Sequence, residues 1–248
     1  MKKNVIILTS GLSGSSVLTG LIARGGYWTG DATFRKPDYD TFENRELIEL
    51  NKGLFREVDY TGNYAFDFSP VALQRIAELF PRIDSGPYRS FLQRCEDHRP
   101  WIWKDPRLWL TIRFWKNLLD FDSTAFILLT RDPTQAWISS LLRRQITTYR
   151  YARTYEENIH RSLLDFLRDN GLSHLHVEYE DLIENPEAVI GRLNAHLSST
   201  LRVEDLKAIY KAPLFRRPKY SWRSQCKAGL IYLKNYSERL DIVGRSSR

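Results

Sequence analysis

Four clusters of polar residues in this chain have the types and spacing of an anion site. The first is the small-residue run Thr9-Ser10-Gly11-Leu12-Ser13-Gly14-Ser15-Ser16, which follows the apolar stretch Val5 to Leu8 and precedes Val17, Leu18, Leu21 and Ile22 at helical spacing. A helix leaves the N–H groups of its first turn without intrahelical partners and carries the positive end of its dipole there, so small residues let an anionic oxygen approach several donors at once. Ser13, Ser15 and Ser16 add hydroxyl donors. A tight structural connection between strand and helix is equally compatible with this run. It is not a G-x-x-x-x-G-K loop ending in Ser or Thr, which disfavours ordinary ATP or GTP binding. The other clusters are Lys104-Asp105-Pro106-Arg107, Arg131 with Ser139 eight residues on, and Tyr179.

Each cluster follows a strand candidate. Val5 to Leu8 reads as the first strand, Trp101-Ile102-Trp103 as the second, Ala125 to Leu129 as the third and Leu175-His176-Val177 as the fourth. Helical spacing returns after each of them, at Leu108, Ile112, Trp115 and Leu119, and in helices starting at Pro133 and Pro186. Further helices are expected over Glu46 to Phe55, from Pro70 to Leu79 with Ser69 as cap, and from Tyr155 to near Gly171. Residues 31–45 are polar, aromatic and Pro-containing, and read as a long loop. Strands alternating with helices predict an α/β fold with a mostly parallel sheet flanked by helices on both faces, whose ligands bind at the carboxyl ends of the strands. All four clusters sit there.

Composition narrows the classes. The 248 residues suit one α/β domain with insertions at about 27–100 and 145–155. Cys95 and Cys226 have neither disulfide-framework nor metal spacing, which fits reduced thiols, a cytoplasmic protein and no metal. No segment reads as a signal peptide or a membrane span. Residues 202–248 hold 12 Lys and Arg against 4 Asp and Glu, a net +8 that leaves −1 for the rest of the formal +7. Such a basic end can neutralise a polyanionic cofactor, meet a membrane surface or nucleic acid, or keep the chain soluble. No nucleic-acid-binding motif accompanies it, so no nucleic-acid partner is expected.

These stretches, in this order, make the chain resemble the sulfotransferases that use 3′-phosphoadenosine 5′-phosphosulfate (PAPS), especially bacterial and carbohydrate-type members. Ser13-Gly14-Ser15-Ser16 is similar to the last four positions of the family's phosphosulfate loop. Trp103-Lys104-Asp105-Pro106-Arg107 resembles its bacterial WKDPR run. Arg131 and Ser139 resemble the pair that holds the 3′-phosphate, and Tyr179-Glu180-Asp181-Leu182 with Pro186 resembles its YEDL stretch, which implies adenine contact for Tyr179. Packing at the sheet edge remains open for that tyrosine. Glu180 and Asp181 read as helix-start and surface residues. Phe215-Arg216-Arg217-Pro218-Lys219 resembles the arginine segment that bacterial members fold over the nucleotide.

The resemblance implies a P-loop NTPase-like three-layer sandwich and direct transfer of a sulfuryl group to a hydroxyl or amine of a small molecule, glycan or lipid, with PAP as product. Such transfer needs cations on the oxygens of the transition state. The family's basic residue in the phosphosulfate loop is Leu12 here, so Lys104 or Arg107 is expected to take over. A base for the acceptor is expected at Glu43, by likeness to bacterial relatives, with Asp105 in reserve. A solvated glutamate opening a helix is the plain reading of Glu43. Two other functions stay open: a catalytically impaired PAPS- or PAP-binding interaction protein, for which Leu12 argues, and a P-loop kinase-like phosphotransferase.

Overall fold

A computed structural model describes residues 2–11, 13–37, 39–65, 67–209 and 222–241. Leu12, Arg216 and Arg217 lie outside them. The central sheet is built from β1 (Asn4–Leu8), β4 (Ile102–Lys104), β5 (Thr124–Thr130) and β6 (His174–Glu178), in the order β4-β1-β5-β6 with every pairing parallel. Ile6 is in register with both Trp103 and Phe126, and the carboxyl ends of the four strands lie on one edge of the sheet, with β5 and β6 running two residues beyond β1.

Alternation along the strands divides the core. Ile6, Leu8, Trp103, Phe126 and Leu128 point to one face, covered by α2 (Arg45–Glu57), α3 (Pro70–Ala77), α4 (Gly86–Asp97), α5 (Leu108–Trp115) and α7 (Tyr149–Asp169). Val5, Ile7, Ile102, Ala125, Ile127 and Val177 point to the other, covered by α1 (Ser15–Arg24), α8 (Tyr179–Glu184), α9 (Pro186–Leu197) and α10 (Val203–Ile209). This is the three-layer α/β sandwich that the alternation of elements predicts. A smaller apolar cluster joins α6 (Pro133–Leu142) to α11 (Trp222–Lys234).

The helix starts follow local chemistry. Ser69 Oγ accepts from Ala72 N–H at 3.2 Å with Pro70 opening α3, and Asp132 Oδ1 accepts from Gln135 N–H at 2.9 Å with Pro133 opening α6. Helix α7 begins six residues before the expected Tyr155, because Thr148 caps it through Tyr151 N–H. The expected loop over residues 31–45 is largely a hairpin of β2 (Thr33–Lys36) and β3 (Tyr39–Asn44). Neither strand alternates cleanly between buried and exposed residues, and Phe42 has φ of 56°, so the period that marks a strand is missing. The hairpin leans on α1 and β4, which brings its end to the carboxyl edge of the sheet.

Candidate active site

A cavity of about 600 Å³ opens at the carboxyl ends of the strands. Its floor is the turn between β1 and α1. Gly14 has φ of 78°, a left-handed conformation that favours glycine, and caps α1 without any side-chain hydrogen bond. No acid occupies the first turn of α1. The helix therefore presents its positive end to the cavity, flanked by Ser15 and Ser16. Gly14 is fixed for a second reason: a Cβ there would lie 2.1 Å from the Tyr179 ring. Tyr179 is buried by this contact and still lines the cavity. Ser13 turns the other way; its hydroxyl bonds to Thr9 Oγ1 and is not among the cavity-lining groups.

Lys104 ends the short strand β4 with a side chain only 1% exposed. Its Nζ donates to Glu43 Oε1 at 2.6 Å and to Ser16 Oγ at 3.4 Å. Glu43 arrives from β3, 61 residues earlier in the chain, and all three groups line the cavity. An ammonium this deeply buried needs an anion beside it, and Glu43 supplies one. Lysine and glutamate, expected separately from the sequence, form one unit with the helix N-terminus.

Arg131, at the end of β5, and Ser139, two turns into α6, line the same cavity. The Arg131 guanidinium lies 5.1 Å over the Tyr179 ring and 3.7 Å from Glu180 Oε1. Burial pulls its pKa below the ordinary value, while Tyr179, Glu180 and Glu156 act in the opposite direction.

The family model of the sulfotransferase family matches residues 33–202. The chain belongs to the sulfotransferase family. Its fold is similar to the sulfotransferase domain of the Synechococcus PCC 7002 olefin synthase, at 20% identity over 88% of this chain and 81% of that one, with a TM-score of 0.54. It is likewise similar to the sulfotransferase domain from the curacin biosynthetic pathway, at 18% identity over 90% and 82%, with a TM-score of 0.53. No curated protein sequence matches it significantly.

Within this sulfotransferase the WKDPR run divides. Lys104 and Pro106 line the cavity, but Asp105 and Arg107 are not among its lining residues. The Arg107 Nη1 donates to Asp105 Oδ1 at 2.8 Å, and the guanidinium lies 3.9 Å over the ring of Tyr64, which does face the cavity. Asp105 Oδ2 accepts from Asn51 Nδ2 at 2.8 Å, and Asn51 Oδ1 accepts from Trp115 Nε1 at 2.8 Å. The geometry thus gives Asp105 a sealed hydrogen-bond network in the core, in place of the open position expected of a reserve base. Of the two cations considered for the role left by Leu12, Lys104 is the one at the cavity.

Several neighbours were not anticipated. Glu180, expected at the surface, is buried, accepts from Asp132 N–H at 3.0 Å and pairs with Arg131; burial raises its pKa. Glu156 on α7 lines two smaller adjoining cavities, and burial pushes its carboxyl from 4.5 up to about 8. Arg143 and Lys36 line the main cavity from opposite elements, with Arg143 Nη2 donating to Tyr39 Oη at 3.2 Å. Arg143 could have been found from its place one helical turn after Ser139. Glu156 and Lys36 carry no such local mark. No group of three or more potential ligands for a metal occurs among the described residues, nor does any helix long and apolar enough to cross a membrane.

Proposed function

We propose that this sulfotransferase moves a sulfuryl group from PAPS to a hydroxyl of a small molecule, glycan or lipid. The observation that carries the reading is the junction of Lys104, Glu43 and the uncapped start of α1 in one cavity. PAPS would supply the activated sulfuryl group and a phosphate leaving group. The N–H groups and hydroxyls around Gly14, Ser15 and Ser16 suit the 5′-phosphosulfate, and Arg131 with Ser139 suits the 3′-phosphate. Tyr179 offers an aromatic wall next to both.

Glu43 would take the proton of the acceptor hydroxyl as its oxygen bonds to sulfur. Lys104 would stabilise the phosphate oxygen released when the old sulfur–oxygen bond breaks. Because the two already touch, negative charge gained by the phosphate and lost by Glu43 is balanced through one ammonium. Arg107 acts at a distance in this reading: it orients Tyr64 and is itself held by Asp105. The hairpin residues Phe34, Tyr39 and Thr41, with Tyr64 and Gln145, form the remaining wall and would meet the acceptor. The whole chain is proposed to work as one domain in the cytoplasm, with Arg216 and Arg217 as further nucleotide contacts.

Calorimetry with PAP tests the donor. Wild type should bind, and Arg131→Ala should weaken binding by about tenfold or more, the value of a charge-assisted contact. No binding by wild type, or equal binding by Arg131→Ala, would overturn the donor assignment. Transfer of radiolabelled sulfate to a panel of hydroxyl acceptors then separates a working enzyme from a protein that only binds the nucleotide.

A further inference from the structure

Helix α11 carries an exposed apolar stripe away from its contact with α6. It docks on α6 through the buried Ala228 and the partly buried Ile231 and Tyr232, which pack with Trp137, Ile138 and Leu141. On another side, Trp222, Leu230 and Leu233 are 67%, 68% and 69% exposed, and Cys226 is exposed between them. Positions 222, 226, 230 and 233 advance by four, four and three residues, which sets them in one line along the helix. Arg223, Lys227 and Lys234, all exposed, make a second line directly beside the first. The helix contains no Asp or Glu.

Single exposed apolar side chains are ordinary on a soluble surface, but a continuous row of them edged by cations is not. A second copy of the chain is a poor occupant, because two-fold pairing through this stripe sets the cationic rows close together with no acid on the helix to answer them. A surface of regularly spaced anions over an apolar interior answers both lines. We propose that α11 is a docking helix for anionic phospholipid membranes. Trp222, Leu230 and Leu233 enter the headgroup boundary, and Arg223, Lys227 and Lys234 meet lipid phosphates. The chain bearing α11, residues 202–248, is also where the protein's net +8 is concentrated, which draws this end toward such a surface. Attachment is peripheral and reversible, since neither a short apolar stripe nor a few cations suffices alone.

Co-sedimentation of the full chain with vesicles tests this, using phosphatidylcholine alone and an equal mixture of phosphatidylcholine and phosphatidylglycerol. The protein should pellet with the mixed vesicles, stay in solution with phosphatidylcholine, and be released by high salt. The emission of Trp222 should shift to shorter wavelength on binding, and Trp222→Phe should remove that shift. The double variant Leu230→Ser, Leu233→Ser should bind roughly tenfold more weakly or worse while melting at the wild-type temperature, because both side chains are already exposed. Lys227→Glu should weaken binding in the same direction. Equal binding to both vesicle types, no binding to either, or a dimer in solution that the double serine variant dissociates would overturn the proposal.

Discussion

Lys104 with Glu43 and Arg107 with Asp105 are two acid–base pairs from the same strand end, and they have opposite surroundings. The Asp105 carboxylate is closed off: Arg107 takes one oxygen, Asn51 the other, and Trp115 holds Asn51 in turn. Lys104 is equally buried, but its ammonium lies beside Ser16 at a cavity wall. A sealed pair holds shape, whereas a pair with one side on a cavity can exchange partners with an incoming anion. Proximity in sequence therefore says little about role here; the direction in which each side chain leaves the end of β4 decides it.

The largest expected effect tests the sealed pair. Asp105→Ala leaves the Arg107 charge buried without its carboxylate and should cost about 3–5 kcal/mol of stability in urea unfolding. A loss below about 1 kcal/mol would place Asp105 among exposed ion pairs instead. Lys104→Ala tests the open pair: turnover in sulfate transfer should fall about 10²- to 10³-fold, with a smaller loss of urea stability than Asp105→Ala, because the Glu43 left behind is 14% exposed at the cavity and can be hydrated. Destabilisation comparable to that of Asp105→Ala would erase the distinction. Glu43→Gln keeps a hydrogen-bond partner for Lys104 and removes the base, so turnover should fall about 10²-fold while PAP affinity holds.

The last test concerns Arg131, whose acidic neighbours lie between the two extremes, and it is read from a pH profile. Glu156 is pushed up to about 8 in the folded protein from an ordinary 4.5. Between those values the folded chain holds a proton that the unfolded chain releases, so stability falls as pH rises through that window. Glu156→Gln has no such proton to lose. Its melting temperature should match wild type near pH 4.5 and exceed it progressively toward pH 8, with no further gain above. Equal pH profiles for the two proteins would show that Glu156 ionises normally.

Much of this arrangement is legible in the sequence because it is local. The apolar runs of β1 and β5 and the caps Ser69 and Asp132 are written in a few adjacent residues, and the strand ends follow from them. The pairing of Glu43 with Lys104 is different, since it depends on the β2–β3 hairpin, whose strands lack a clean two-residue period. The inward turn of Asp105 is hidden because β4 has only three residues before the chain bends. Glu180 and Glu156 look like ordinary helix carboxylates until α7 and α8 close around Arg131.

The aromatic packing behind β4 has an optical consequence. Trp101 and Trp103 stack with ring centroids 4.6 Å apart, and Trp103 meets Trp115 edge-on at 4.9 Å. Indoles this close and rigid couple their transitions, so the native protein should show an exciton couplet in its circular dichroism spectrum. Trp103 directly precedes Lys104 in the chain, which makes that couplet an internal gauge of the strand end. A Lys104 variant that has lost transfer but kept the couplet has lost its chemistry and not its scaffold.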